Sequence, residues 1–329
     1  MNTIAVKEYS FFSLKFVKAY IITMRPYLMF VSGITGIIGM SFSSDIVLAK
    51  ALLIFLASFL SYGFGQALTD CFQIDTDSIS APYRPLTQGI VKRKHFLFIS
   101  SLGLIFCISI FTFYNPINLL LGTLAGIGLA TYTFFKRKWW AGPFYNAWIV
   151  VVLFLMGYLA GTERIYFRFE NQIFIVAILT VFFGYANFVL TGYFKDIEAD
   201  RVTNYNTLPV VFGRKLSSLV SDTFSLIVSV SVLILVISLS FDSFPYQIIL
   251  RALFFVYGGI GASILTQINL HSVKSDKEAH KAISPCVHSY ILMLSSLTIL
   301  NKPDWFIPIL VFYFLYILSM KVRPAKEQI

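Results

Sequence analysis

The sequence predicts an all-α, polytopic membrane helical bundle of nine or ten transmembrane helices, and three observations carry that prediction. First, 57% of its 329 residues are hydrophobic and only 13% are charged, with a mean hydropathy of +0.76. Soluble domains are about half apolar and a quarter charged, so this composition argues against a soluble enzyme, a disordered chain or a nucleic-acid module. Second, ten stretches are apolar and long enough, or nearly so, to cross a hydrocarbon core of about 30 Å, which takes roughly 20 helical residues. They lie near 27–44, 46–69, 96–114, 116–135, 144–161, 172–194, 216–241, 246–270, 283–300 and 305–320. Third, if the N-terminus is cytoplasmic, 21 of the 26 Lys and Arg residues fall on inner segments, leaving only Lys50, Arg164, Arg168, Arg251 and Lys302 outside. That is the positive-inside asymmetry. It accounts for the net charge of +10 without a nucleic-acid partner, for which a basic groove with stacking aromatics would be needed.

Residues 1–25 carry Lys7, Lys15 and Lys18 among Phe11, Phe12, Leu14, Phe16 and Val17, with no small-residue cleavage site behind an apolar core. This reads as an amphipathic helix on the inner leaflet rather than a signal peptide. Residues 26–329 then form one membrane domain, in which the short stretch 305–320 decides between nine and ten spans. Cys71, Cys107 and Cys286 and the four histidines show no metal-ligand or redox spacing. No small-residue stripe dominates a span, which leaves the oligomeric state open.

The polar chemistry is concentrated. Six of the sixteen acidic residues form two clusters, Asp70, Asp75 and Asp77, then Asp196, Glu198 and Asp200. The first follows span two and the second span six. An even number of crossings separates them, so both open on the same face. At helical spacing Asp70, Gln73 and Asp77 share a stripe, and Asp196 and Asp200 stand one turn apart beside Lys195 and Arg201. Carboxylates gathered this way at a membrane boundary need positive charge nearby, and hard oxygen ligands suit Mg²⁺ held jointly with substrate phosphates. The plainer alternative is interfacial pairing with neighbouring Lys and Arg. Each cluster leads into a Pro- and Gly-containing tail, SISAPYRPLTQG at 78–89 and RVTNYNTLPVVFG at 201–213. The repetition suggests two related halves, about 26–143 and 144–300. Arg84, Lys92, Arg93 and Lys94, then Lys136, Arg137 and Lys138, place donors beyond the acids that suit diphosphate oxygens.

These residues resemble the UbiA superfamily of intramembrane prenyltransferases over most of the chain. The resemblance rests on Arg25-Pro26, on the acids before Pro82-Tyr83-Arg84-Pro85, on Tyr132 to Arg137 with Asn146 downstream, and on 195–201 followed by Thr207-Leu208-Pro209. It implies helices around a central cavity, and Mg²⁺-dependent transfer of a prenyl group from a prenyl diphosphate to a lipophilic, often aromatic acceptor. By the same resemblance Asp70, Asp77, Asp196 and Asp200 hold Mg²⁺ and the diphosphate. Arg84, Lys94, Lys136, Lys195 and Arg201 are diphosphate partners, and Tyr132 and Asn146 lie near the reacting carbon or acceptor. The active-site loops are expected on the cytoplasmic face, in the cytoplasmic membrane if the source is bacterial. One departure matters: where the family's first motif has Asn, Asp and Asp at four-residue spacing, this chain has Thr69, Gln73 and Asp77. Gln73 offers a neutral amide oxygen to a metal, one negative charge is lost, and Asp70 next door is positioned to compensate. Two other readings stay open, a membrane terpene cyclase on the same scaffold and a non-catalytic lipid-binding or transport protein. The gathering of the acids at one membrane face, rather than the midplane, counts against transport.

Overall fold

The computed structural model describes residues 8–241 and 244–323. Residues 1–7 with Lys7, and 324–329 with Lys326, lie outside the described residues, so the expected N-terminal segment is described only in part. Thirteen α-helices run in order: α1 Leu14–Met24, α2 Met29–Met40, α3 Leu48–Asp70, α4 Ile74–Ser80, α5 Arg93–Tyr114, α6 Ile117–Lys136, α7 Gly142–Thr162, α8 Gln172–Tyr193, α9 Ile197–Val202, α10 Leu208–Phe241, α11 Tyr246–Ser272, α12 His280–Asn301 and α13 Phe306–Lys321. Among the described residues ten helical segments are long and apolar enough to cross a membrane, and all ten expected spans are among them, including 305–320.

Their outer surface is apolar, as lipid requires. On α10, Leu216, Leu219, Leu226, Val230, Ile234 and Ile237 are all exposed. In hydrocarbon each helix can satisfy its own backbone, and the side chains facing outward need only match the lipid. α12 is the most enclosed of the ten spans and packs against α2, α8 and α11. Helices α2 and α7 approach closely because both carry glycines at the crossing. A Cβ at Gly39 would stand 2.5 Å from the Phe154 carbonyl oxygen, and one at Gly161 would stand 2.7 Å from Met40 Cα. A single-span search for small-residue stripes does not see this arrangement, since the contact is made by two helices together.

The first apolar stretch begins earlier than its expected start at 27. It covers Leu14–Met40, broken at Arg25. Ser13 Oγ caps α1 by accepting from the Phe16 N–H at 3.2 Å, and α1 packs Phe16, Ala19, Tyr20 and Met24 against Ala67, Cys71 and Phe96. Leu14, Val17 and Ile21 stay exposed on its other side. Arg25 then adopts a left-handed backbone, φ 52°, before Pro26, whose ring disfavours a helical residue ahead of it. The resulting bend turns the Arg25 side chain inward, toward the ends of α3 and α4.

Candidate active site

Three long helices, α3, α6 and α8, end at the same end of the bundle, and the short helices α4 and α9 lie across it. α3 stops at Asp70. The chain turns through Cys71 and Phe72, and Gln73 opens α4 with φ −120° and ψ 22°. α8 stops at Tyr193, turns through Phe194 and Lys195, and Asp196 opens α9 with φ −116° and ψ 13°. The residue after each long helix is also matched, Cys71 at φ −64°, ψ −22° and Phe194 at φ −64°, ψ −20°. The two acidic segments are therefore the same local structure built twice, with Gln73 equivalent to Asp196 and Asp77 to Asp200. The continuous helical stripe expected through Asp70, Gln73 and Asp77 is interrupted at 71–73, yet all three side chains face one chamber.

That chamber is lined by three acids, Asp70, Asp77 and Asp196, and four bases, Arg25, Arg84, Lys136 and Lys195, with Gln73, Tyr132, Asn146 and Tyr193 among the remaining lining residues. Arg25 Nη2 donates to both Asp70 oxygens, at 3.1 and 3.0 Å, and Gln66 Nε2 donates to the first at 2.6 Å. Arg84 forms an ion pair with Asp77 and stands 3.7 Å from Asp70. Lys136, nearly fully buried at the end of α6, donates to Gln73 Oε1 at 3.1 Å and lies 3.5 Å from Asp200 Oδ1. Tyr132 and Tyr193 share a hydrogen bond of 2.9 Å between their hydroxyls.

Asp200 does not line the chamber. It is wholly buried behind it, accepting from Thr76 Oγ1 at 3.1 Å and Thr207 Oγ1 at 3.3 Å, and so ties α4 to α9. Lys94 is exposed on the first turn of α5, and Arg201 is exposed and pairs with Glu198. The structure does not bring either to the chamber, because neither long side chain is held inward by an acid. Conversely, Arg25 enters the site, although in the sequence it stands out only in the Arg25-Pro26 pair of the family resemblance. Its signal was present, since an arginine inside the apolar run Leu14–Met40 is costly unless it is paired and working.

Burial dominates the electrostatics. It pushes the Asp77 carboxyl up, with Arg84 acting in the opposite sense. It pushes Asp200 up to about 6, with Lys136 opposing, and pushes the Lys195 ammonium down to about 8, with Asp196 opposing. At Asp196 burial also acts upward, but Lys195, Lys136 and Arg84 together outweigh it and hold that carboxyl below its ordinary range.

A second, mostly apolar chamber adjoins the first and shares Tyr62, Gln66, Thr69, Asn146 and Tyr185 with it. Leu104, Ile108, Phe111, Leu129, Leu153 and Met156 are among its other walls. The charged mouth thus opens directly onto an oily interior, an arrangement that fits a ligand with an anionic head and a hydrocarbon tail. The model of the UbiA prenyltransferase family matches residues 29–282.

The chain belongs to the UbiA prenyltransferase family. It is a multi-pass integral membrane protein. Among its relatives, the digeranylgeranylglyceryl phosphate synthase of Thermococcus kodakarensis is 29% identical over 216 residues, covering 65% of this chain and 76% of the relative. That of Pyrococcus abyssi is 25% identical over 226 residues, covering 64% and 75%. The bundle is also that of solved UbiA homologues. The apo homologue from Aeropyrum pernix superposes with a TM-score of 0.66 at 17% identity, over 82% of this chain and 96% of that one. A homologue from Archaeoglobus fulgidus bound to GPP and Mg²⁺ superposes with a TM-score of 0.63 at 17% identity, over 91% and 99%.

Among the described residues no three acidic, His or Cys side chains converge to hold a metal by themselves. Asp196, however, presents a buried Oδ1 with no hydrogen-bond partner. A carboxylate of that kind fits Mg²⁺ that is shared with phosphate oxygens and water, the usual mode for this ion.

Proposed function

We propose that this protein transfers a prenyl group from a prenyl diphosphate to a lipophilic acceptor inside the membrane, with Mg²⁺ as cofactor. The observation that carries the reading is the junction of the two chambers: seven charged side chains from both halves of the chain meet at one mouth, and an apolar cavity begins where they end. The mouth suits a diphosphate and the cavity suits an isoprenoid tail, each buried methylene-sized group contributing about 0.8 kcal/mol.

Bound through Asp196 and the diphosphate oxygens, Mg²⁺ would supply Lewis-acid stabilisation of the leaving group. The chain's own cations do the rest. As the allylic C–O bond lengthens, negative charge grows on the diphosphate, and Arg84, Lys136, Lys195 and Arg25 are already fixed around the place where it grows. Charges held in position cost no reorganisation when the bond breaks. Asp70 and Asp77 hold Arg25 and Arg84 in place, and Asp200 positions Lys136 from behind. Tyr62, Tyr132 and Tyr185 line the mouth, and aromatic rings can stabilise a carbocation by roughly 0.5–2 kcal/mol each. The apolar walls keep water away from it. The names of the relatives carry a glyceryl phosphate, which favours a lipid acceptor over the aromatic one implied by the sequence resemblance. The excess of Lys and Arg on inner segments supports a cytoplasmic mouth.

The test is product analysis. Purified protein in detergent or nanodiscs, incubated with prenyl diphosphates, Mg²⁺ and lipid or aromatic acceptors, should release diphosphate and give a prenylated acceptor by mass spectrometry. A cyclic hydrocarbon formed without acceptor would show a terpene cyclase instead, and no diphosphate release with any donor would remove the enzyme reading.

A further inference from the structure

The two half-sites share a backbone but not a charge pattern. Asp200 donates its N–H to the Asp196 carbonyl at 2.7 Å, and Asp77 donates its N–H to the Gln73 carbonyl at 2.9 Å. At these paired backbone positions the second half-site carries two carboxylates, Asp196 at the chamber wall and Asp200 behind it, where the first carries an amide and a carboxylate, Gln73 and Asp77, both at the wall. We infer that the first half-site takes no divalent ion of its own, and that the Lys136 ammonium, pinned by Gln73, serves in that ion's place.

Every acceptor in the first half already has a cation. Gln73 Oε1 accepts from Lys136 Nζ, Asp77 is paired with Arg84, and both Asp70 oxygens are taken by Arg25. A second dication there would sit beside three fixed positive groups and find no carboxylate to itself. The amide of Gln73 is what permits this arrangement, since it is neutral and its oxygen can fix an ammonium without adding charge. The second half differs at one atom: Asp196 Oδ1 is buried without a hydrogen-bond partner, while Asp200 is held by Thr76, Thr207 and Lys136. One ion on the Asp196 side, with Lys136 and Arg84 opposite, would then enclose a diphosphate between a metal and two organic cations. This inference rests on the prenyltransferase reading, and narrows it to a single-ion site.

The ion count can be read without turnover. Full-length protein in detergent is titrated with Mn²⁺ in the presence of a saturating prenyl thiolodiphosphate, a donor that resists ionisation, and free Mn²⁺ is followed by electron paramagnetic resonance. The expected result is one ion per chain in the wild type, two in Gln73→Asp, and at least tenfold weaker binding in Asp196→Asn. Two ions in the wild type would overturn the inference while leaving the prenyltransferase reading intact, and that measurement needs no variant to fold. One ion in a folded Gln73→Asp protein would also overturn it, since residue 73 would then not set the count. No analogue-dependent ion in the wild type would remove the functional reading and this inference with it.

Discussion

Arg25 grips both oxygens of Asp70, at 3.0 and 3.1 Å, from a position whose left-handed backbone breaks the first apolar helix. The bend and the ion pair support each other. Without the bend the guanidinium would continue along α1 toward lipid, and without Asp70 a charged side chain would be stranded at the mouth. Breaking a buried pair by removing one partner leaves an unpaired charge and costs about 3–5 kcal/mol. Arg25→Ala should therefore lower the unfolding temperature in detergent markedly, and Arg25→Ala with Asp70→Asn should recover part of that loss. A double variant no more stable than Arg25→Ala would show that the pair is not the source.

Asp196 and Asp200 are one turn apart but have different work. Asp200 is enclosed and holds Thr76, Thr207 and Lys136, so Asp200→Ala should destabilise the fold by about 3 kcal/mol as those donors lose their acceptor. Asp196→Asn keeps shape and volume at the chamber wall and should leave thermal unfolding nearly unchanged, while diphosphate release falls by about a hundredfold or more. Measuring both quantities on both variants separates the two roles, and equal losses of stability would contradict the assignment.

The pH profile of kcat/KM should be a bell. Asp200 is needed charged to hold Lys136, and burial has raised it to about 6, so activity is lost as pH falls through 6. Lys195 is needed protonated, and burial has lowered it to about 8, so activity is lost as pH rises through 8. Each limb should fall about tenfold per pH unit. Lys195→Arg keeps the positive charge at every accessible pH and should remove the alkaline limb alone. An unchanged alkaline limb in that variant would assign it to another group.

The inner cavity should measure the donor's tail. Gly126 lines it, and a Cβ there meets nothing within 4 Å, so a large side chain can enter the empty space without disturbing the helices. Gly126→Phe should retain activity with the shortest donors and lose it progressively with longer ones, as seen in kcat/KM across a series of prenyl diphosphates. At Gly122 the same change would strike Ile108 at 2.7 Å, so loss of folding rather than altered chain length is expected. A Gly126→Phe profile parallel to wild type would show that the tail lies elsewhere.

All ten spans were readable from the sequence because crossing lipid demands long apolar helices, a constraint on composition rather than on packing. The two acidic segments were equally readable, since helix counting alone places them on one face. What sequence could not give was the partner of each acid. The resemblance puts Asp70 and Asp200 on Mg²⁺ and the diphosphate, whereas in the structure Asp70 holds Arg25 and Asp200 stands behind the chamber wall, because a side chain's partner depends on how α3, α4, α6 and α9 meet. Lys94 and Arg201 carry the right chemistry, yet they face away from the mouth, and helix spacing alone does not distinguish inward from outward at a loop. The doubled backbone around Gln73 and Asp196 is likewise a fact of coordinates, hinted at only by the repeated Pro- and Gly-containing tails.

If both halves of the chain grip one diphosphate, Arg84 and Asp196 must act on the same ligand. Calorimetric titration of a prenyl thiolodiphosphate, with Mg²⁺ present, into wild-type, Arg84→Lys and Asp196→Asn protein tests it directly. One ligand per chain is expected, bound about tenfold or more weakly in each variant, because Arg84 serves from the first half and Asp196 from the second. Wild-type affinity in either variant would contradict it.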